Sequence, residues 1–388
     1  MDRLFFFLSL FVFYLYSKPL DSQVSARAAI LINADTGKVL YEKNAHLPQY
    51  PASLTKMATG IFIIENTASL TSKITASSHA LDITEKKTIE DLPYVLEEDG
   101  TMIGLKEGET IPLKGLLYGM LVATANDASN VLAEAIGGTI PDFMEELNEY
   151  LRNIGCEKTC FLNPHGLHHP DHKTTAYDLS LIAKRAIQDP FFRKIVSSER
   201  YFLPKTNKSG ERQLRQTNPL IRKDSPDYYS SAFGIKTGNH SKAKKCLAAS
   251  ARKNGRTLIA ILLGCNSKNH ATKDAKLLFD HAFSEKKKTR AIVKKNRVFT
   301  FDLNGARALV YSSLKEDLKI QYYPSEEPNL KAFIHWDDLT LPINRDQKVG
   351  ELQLLDEDEN IVAASELYAK ETIKSTLLAS LKNLLGWK

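Results

Sequence analysis

Two apolar runs, residues 245–251 (KCLAASA) and 257–265 (TLIAILLGC), meet around Asn254-Gly255. Asn-Gly supplies the positive φ pair of a two-residue type I′ turn, so the runs are predicted to fold back as an antiparallel hairpin. A second hairpin is predicted far upstream. There Ala29–Asn33 is apolar, Asp35-Thr36-Gly37 turns, and Val39–Tyr41 resumes extended structure. Between the hairpins, helical patterning runs from Ser53 to Glu65 and from Leu116 to Ile136. A further helix is expected over Asp274–Phe283. Strands at both ends with helices between them predict a mixed α/β (α+β) region, a sheet covered by helices.

The chain of 388 residues has room for two or three such domains. With 43% apolar and 25% charged residues it is not disordered. Nineteen glycines, four cysteines and no repeat at a 20–50-residue period exclude collagen, disulfide scaffolds and solenoids. A net charge of +6 is too small to imply nucleic acid, and leaves an anionic lipid or wall surface as a partner. Leu4–Tyr16 is an apolar run of 13 residues behind Arg3. A membrane span needs about 20, so residues 1–26 are read as a secretory signal peptide, cleaved after Val24-Ser25-Ala26. An uncleaved anchor is the alternative; either way the rest is exported. In the expected hairpin register Cys246 faces Leu263. Cys265 is then only a diagonal neighbour, about 7–8 Å away, and buried free thiols are expected.

The region 27–283 is followed by a basic linker, 284–296, with six Lys or Arg among residues 286–295. Alternating runs at 297–303 and 331–336 predict a small antiparallel β domain over 297–370. In 371–388, Ile373, Leu377, Leu381, Leu384 and Leu385 fall on one helical stripe, with Lys374 and Lys382 away from it and Trp387 near the end. A basic amphipathic helix of this kind lies in a membrane interface; packing on the β domain is the alternative.

Three short motifs carry chemistry. In Pro51-Ala52-Ser53-Leu54-Thr55-Lys56, a helix starting at Ser53 would put its hydroxyl and Lys56 on one face. A lysine desolvated among other cations is neutral enough to take a serine proton. In Thr124-Ala125-Asn126, a hydroxyl and a carboxamide two residues apart can relay a proton and grip an amide. In Lys236-Thr237-Gly238, before Asn239, a cation, a hydroxyl and a bare backbone line one strand, where glycine admits a ligand to the backbone. Each motif alone has a bland reading as a cap, a loop or a surface charge.

In this order the three form the set shared by penicillin-binding proteins and class A β-lactamases. The chain resembles the low-molecular-mass penicillin-binding proteins, specifically D-alanyl-D-alanine carboxypeptidases. The likeness includes "AAILINADTGKVLYEKNA", "PASLTKMATG", "LLYGMLVATANDASNVLAE", "FLNPHGLHHPDHKTTAYDLSLIA", "GIKTGN" and "RTLIAILLGC", and covers nearly all of 27–283. It implies a β-lactamase/DD-peptidase-like catalytic domain with a mainly antiparallel sheet, a small C-terminal β domain and a C-terminal anchor. It implies an exported enzyme at the periplasmic face of the inner membrane that removes the terminal D-alanine of peptidoglycan stem peptides and binds β-lactams. No cofactor, metal or nucleic acid is implied. Carried over by motif, Ser53 is the acylated nucleophile, Lys56 its base, and Asn126 the holder of the substrate amide. Lys236 and Thr237 receive the terminal carboxylate, beside Gly238. The backbone N–H groups of Ser53 and Asn239 form the oxyanion hole.

Two departures stand out. Thr124 occupies the family's usual serine position, and His270 that of an arginine before the last helix of the domain. Three other readings compete. A class A-like β-lactamase needs a glutamate, for which Glu145 and Glu146 are the weak candidates. A metallopeptidase would draw on His165, His168, His169 and His172, without an H-E-x-x-H motif. A catalytically weak wall-binding protein is the third. No G-x-S-x-G supports a Ser-His-Asp hydrolase.

Overall fold

Five strands build the central sheet: β1 (Ala28–Asn33), β2 (Val39–Lys43), β3 (Ala232–His240), β4 (Lys244–Lys253) and β5 (Arg256–Cys265). They lie in the order β2-β1-β5-β4-β3, antiparallel throughout. The computed structural model describes residues 12–13, 23–83 and 92–377. Asn254 and Gly255 take φ of 53° and 76°, as the predicted turn between β4 and β5 demands. All of β1 and nearly all of β5 is buried, because both faces of the sheet are covered. Ile30, Ile32, Ile259 and Ile261 face one core, and Leu31, Leu258, Ala260 and Leu262 the other. This is the two-residue alternation of a strand, filled with apolar side chains on both faces.

Among the described residues six helices follow one another between the hairpins: α1 (Thr55–Asn66), α2 (Leu113–Leu121), α3 (Asn126–Gly137), α4 (Ile140–Asn153), α5 (Ala176–Gln188) and α6 (Pro190–Val196). A seventh, α7 (Lys268–Ser284), packs Leu278 and Phe279 into the second core. Residues Thr55–Ile63 of α1 are buried on every side, which makes it the core helix of the unit. Side-chain oxygens of Thr139, Thr175 and Asp189 accept from backbone N–H groups at the starts of α4, α5 and α6. The single helix expected over Leu116–Ile136 is two. Apolar Val122, Ala123 and Ala125 disguise a break in which Thr124 adopts a φ of 67°.

The described residues form two compact units that part between Ser284 and Glu285. The N-terminal one reaches further upstream than expected. Val24 and Ala26 are buried, and Ser25 Oγ and Ala26 N donate to Asp274 Oδ2 at 2.8 and 2.9 Å. Lys43 Nζ donates to the Val24 carbonyl at 2.8 Å. The Val24-Ser25-Ala26 segment, expected to leave with the signal peptide, is here packed into the N-terminal unit. The rest of that predicted signal, apart from Val12–Phe13 and Gln23, lies outside the described residues. Cys156, Cys246 and Cys265 are free and buried, whereas Cys160 is free and exposed.

The second unit is a small antiparallel β domain around Val310, Leu330, Val349, Leu354 and Leu367. Its six-stranded sheet runs from Val12–Phe13 through Leu330–Trp336, Lys348–Leu355, Ile361–Ala369 and Val310–Ser313 to Phe299–Phe301. Two boundaries differ from expectation. The basic linker contains a strand, Lys288–Val293, paired with Leu318–Tyr322. Ile373, placed on the apolar stripe of a terminal helix, is instead buried and bridged to Ile343, and Ser375 bridges to Ala306. Leu377 is 74% exposed. The remainder of the expected helix, 378–388, lies outside the described residues.

Candidate active site

Pro51 leads into one 3₁₀ turn, Ala52–Leu54, which runs straight into α1. Ser53 sits in that turn and Lys56 in the first turn of α1, so the three-residue spacing brings Lys56 Nζ within 2.9 Å of Ser53 Oγ. Lys56 Nζ also lies 2.7 Å from Asn126 Oδ1 and 2.6 Å from the His165 carbonyl oxygen. A neutral amine has two N–H bonds and one lone pair. In that form the two carbonyl-type oxygens, which can only accept, take the hydrogens and leave the lone pair for Ser53; in the charged form Lys56 donates to all three oxygens. Lys56 is 0% exposed. Burial first, then the charge of Lys236, hold its pKa well below the ordinary lysine value, while Asp127 pulls the other way.

The turn is braced from Asn163-Pro164-His165-Gly166-Leu167. Asn163 Oδ1 accepts from Gly166 N and Leu167 N at 2.7 and 3.1 Å, and Thr59 Oγ1 donates to the Pro164 carbonyl at 2.8 Å. Gly166 has a φ of 88°, and a Cβ there would meet the Ala52 carbonyl oxygen at 2.0 Å. The neighbouring imidazoles are committed to this scaffold. His172 Nδ1 accepts from Leu162 N at 3.1 Å, and its Nε2 lies 2.9 Å from Thr55 Oγ1. His165 Nδ1 accepts from Leu167 N at 3.2 Å, and its Nε2 lies 3.2 Å from the Tyr94 carbonyl. Burial pushes both rings down to about 3, so they are neutral. Ring nitrogens already bonded on both sides are not free to hold a metal.

The break between α2 and α3 places the second motif. Thr124 lies in it, and Asn126 is the first residue of α3, with its N–H on the Thr101 carbonyl at 2.7 Å. With Oδ1 against Lys56, the Asn126 Nδ2 is the end left to donate to a ligand carbonyl. Asp127, 1% exposed, accepts from Ile103 N, Leu105 N and Ala128 N at 2.9 to 3.1 Å. It thereby ties the 101–105 segment to the start of α3.

The third motif lies on β3, one of the two edge strands of the sheet. Lys236 is 0% exposed, and burial pushes its pKa down to about 7. Its Nζ donates to Thr124 Oγ1 at 2.7 Å, joining the second and third motifs. A Cβ on Gly238 would come within 3.0 Å of the Pro51 carbonyl and 3.2 Å of Ala52 Cβ. The close approach expected of a ligand at Gly238 is made first by the turn that carries Ser53. Asn239 Oδ1 accepts from Lys245 Nζ at 2.6 Å.

A cleft of about 340 Å³ is lined by Ser53, Thr101, Thr124, Thr217, Thr237, Gly238 and Asn239 among others, whereas Lys56, Asn126 and Lys236 do not line it and lie behind that wall, Lys56 and Lys236 fully buried. No Asp or Glu lines it among the described residues, and Glu145 and Glu146 lie in the middle of α4. His270 does not line it either. Lys268, Ala271 and Thr272 do, and on a 3.6-residue period they share a face of α7 that position 270 leaves. His270 is exposed. Sequence reasoning missed Thr217. It follows a short hairpin and matches no motif, and only folding brings its Oγ1 to 2.6 Å from Thr237 Oγ1 and 3.2 Å from Thr124 Oγ1.

Residues 16–267 match the Peptidase S11 family, described as D-alanyl-D-alanine carboxypeptidase. Residues 288–375 match the C-terminal domain of penicillin-binding protein 5. D-alanyl-D-alanine carboxypeptidase DacF of Bacillus subtilis (strain 168) is 30% identical over 370 residues, 93% of this chain and 89% of the relative. DacD of Escherichia coli (strain K12) is 27% identical, covering 92% of each chain. Among solved structures, penicillin binding protein 5 from Haemophilus influenzae shares the fold at a TM-score of 0.62 and 24% identity, over 91% of this chain and 99% of that one. The Streptomyces K15 DD-transpeptidase gives 0.59 at 25% identity, over 68% of this chain and 98% of that one.

Proposed function

The chain belongs to the D-alanyl-D-alanine carboxypeptidase family of penicillin-binding serine hydrolases, and on that premise we propose that Ser53 is the residue it acylates. The observation that carries this is the environment of Lys56: dry, pressed by a second buried cation, and with its Nζ 2.9 Å from Ser53 Oγ. Ser53 Oγ attacks the carbonyl carbon of the terminal D-Ala–D-Ala bond, and its proton passes to Lys56. The backbone N–H groups of Ser53 and Asn239 hold the oxyanion. The C–N bond breaks, the departing D-alanine takes up the proton as its amine, and water then hydrolyses the ester. Asn126 holds the substrate amide, while Lys236 and Thr237 receive the terminal carboxylate. Lys268, the cation that α7 contributes to the cleft wall, adds to the positive field there.

The cleft wall favours a peptidase over a β-lactamase. Rapid deacylation of a β-lactam needs a carboxylate to activate water, and none lines the cleft among the described residues. The substrate is the stem peptide of peptidoglycan, which places the enzyme outside the cytoplasmic membrane. The apolar N-terminal run serves as its export signal, and residues 378–388 attach it to the membrane surface. Among the described residues no helix is long and apolar enough to cross a membrane.

The test is hydrolysis of a D-Ala-D-Ala peptide by the purified mature protein, with released D-alanine measured by mass spectrometry. Wild type should release it stoichiometrically with peptide loss, and Ser53→Ala should not. Equal release by both would sink the assignment of Ser53.

A further inference from the structure

We propose that Thr217 is a positioning residue for the substrate carboxylate: its hydroxyl, between Thr124 and Thr237, turns the Thr237 O–H into the cleft. This rests on the reading in which Lys236 and Thr237 receive that carboxylate.

Either hydroxyl of each threonine pair is able to donate, and the proposed direction is the one that starts on the lysine. A charged lysine only donates, so Thr124 Oγ1 accepts from Lys236 Nζ at 2.7 Å. The single Thr124 proton is then free for Thr217 Oγ1, 3.2 Å away. Thr217 in turn has one proton, and Thr237 Oγ1 stands 2.6 Å from it. The Thr237 proton is left over and is directed toward the cleft that this residue lines. A chain of donors that starts on a cation polarises each successive bond, so the last hydroxyl becomes a better donor to an anion. The carboxylate is thus met by Lys236 and by a hydroxyl already pointed at it.

Thr217 is itself held in place. Its neighbours Gln216 and Asn218 are 1% and 0% exposed. Gln216 Oε1 accepts from Thr217 N and Asn218 N at 2.9 and 3.1 Å, and Gln216 Nε2 donates to the Val196 carbonyl at 3.2 Å. Asn218 Nδ2 donates to the Gly234 carbonyl on β3 at 3.0 Å. Two buried amides therefore fix the backbone of Thr217 against α6 and the strand that carries Lys236 and Thr237.

Thr217→Val removes the hydroxyl and keeps the shape. Acylation is measured with a penicillin as its free acid and as its methyl ester, and kcat and KM are measured on a D-Ala-D-Ala peptide. The free acid should react about tenfold more slowly and the peptide KM should rise. The ester rate and kcat should stay within about twofold, and Thr217→Ser should restore the free-acid rate. On a Thr237→Val background, Thr217→Val should have no further effect. Should the valine variant fail to fold, Thr217→Ala carries the same comparison. Equal slowing of acid and ester, a fall in kcat at constant KM, or no rescue by serine would overturn the proposal. An unaffected variant would overturn it while leaving the acyl-enzyme reading intact, whereas a wild type that no penicillin acylates would overturn both.

Discussion

Lys56 and Lys236 occupy the same dry interior, but the roles proposed for them need opposite charge states. Lys56 must be neutral to accept the Ser53 proton. Its pKa lies well below the ordinary lysine value, so kcat/KM should rise with pH on the acid side. Lys236 must be charged to hold a carboxylate. Its pKa lies at about 7, so kcat/KM for a carboxylate-bearing substrate should fall as pH passes through about 7 in the free enzyme. Asp127 favours the charged form of Lys56, so Asp127→Asn should move the acid limb to lower pH. The same change weakens the acceptor for Ile103 N and Leu105 N and should cost about 1–3 kcal/mol of stability. An unmoved acid limb in a folded Asp127→Asn protein would contradict this account of Lys56. The residues named here by motif were legible because fixed spacing converts directly into proximity on one helix turn or one strand. Thr217, Asp127 and Lys268 were not. Thr217 joins the others only through tertiary folding. Lys268 was hidden because the family resemblance pointed to position 270, two residues and about 200° around the helix.

Among elements, the 163–167 turn does more for the site than its composition suggests. It supplies the His165 carbonyl to Lys56, and its Gly166 lies against the backbone of the turn that carries Ser53. Gly166→Ala should therefore slow acylation of Ser53 steeply while the far end of the sheet stays intact. The positive φ alone costs about 1–3 kcal/mol, and the overlap with the Ala52 carbonyl adds to that. Penicillin labelling rate and melting temperature together check it, and an alanine variant acylated at the wild-type rate would refute the bracing role. The hairpins were legible because Asn-Gly and Asp-Thr-Gly turns separate apolar runs. The break between α2 and α3 was not, because apolar residues continue across it and no Pro or Gly marks it. A threonine in the left-handed region is set by the tertiary contacts around it, not by propensity.

For the whole molecule, composition located the two units and misplaced their edges. Charge density marked 284–296 as a linker, yet Lys288–Val293 pairs within the β domain, since a short edge strand tolerates lysines. Helical spacing placed Ile373 on an amphipathic stripe, yet its burial beside Ile343 makes it part of the β core. The proposed C-terminal membrane attachment is therefore left to residues 378–388. Deleting residues 378–388 should release the protein from anionic vesicles without unfolding the β domain. Loss of Lys382 and Lys388 alone removes about 1 kcal/mol of attraction each. Unchanged sedimentation of the truncated protein, its signal removed, would place the attachment elsewhere.

The central claim is that Ser53, activated by Lys56, carries the acyl group. A β-lactam mimics the scissile amide, and its opened ring should stay on the enzyme because no carboxylate lines the cleft among the described residues. The direct measurement is peptide mapping of the penicillin-treated protein by mass spectrometry. One adduct of the added penicillin mass is expected, on the peptide containing Ser53, and it should be absent from Ser53→Ala and formed far more slowly by Lys56→Ala. An adduct on any other residue, or a Lys56→Ala protein labelled as fast as wild type, would contradict the account.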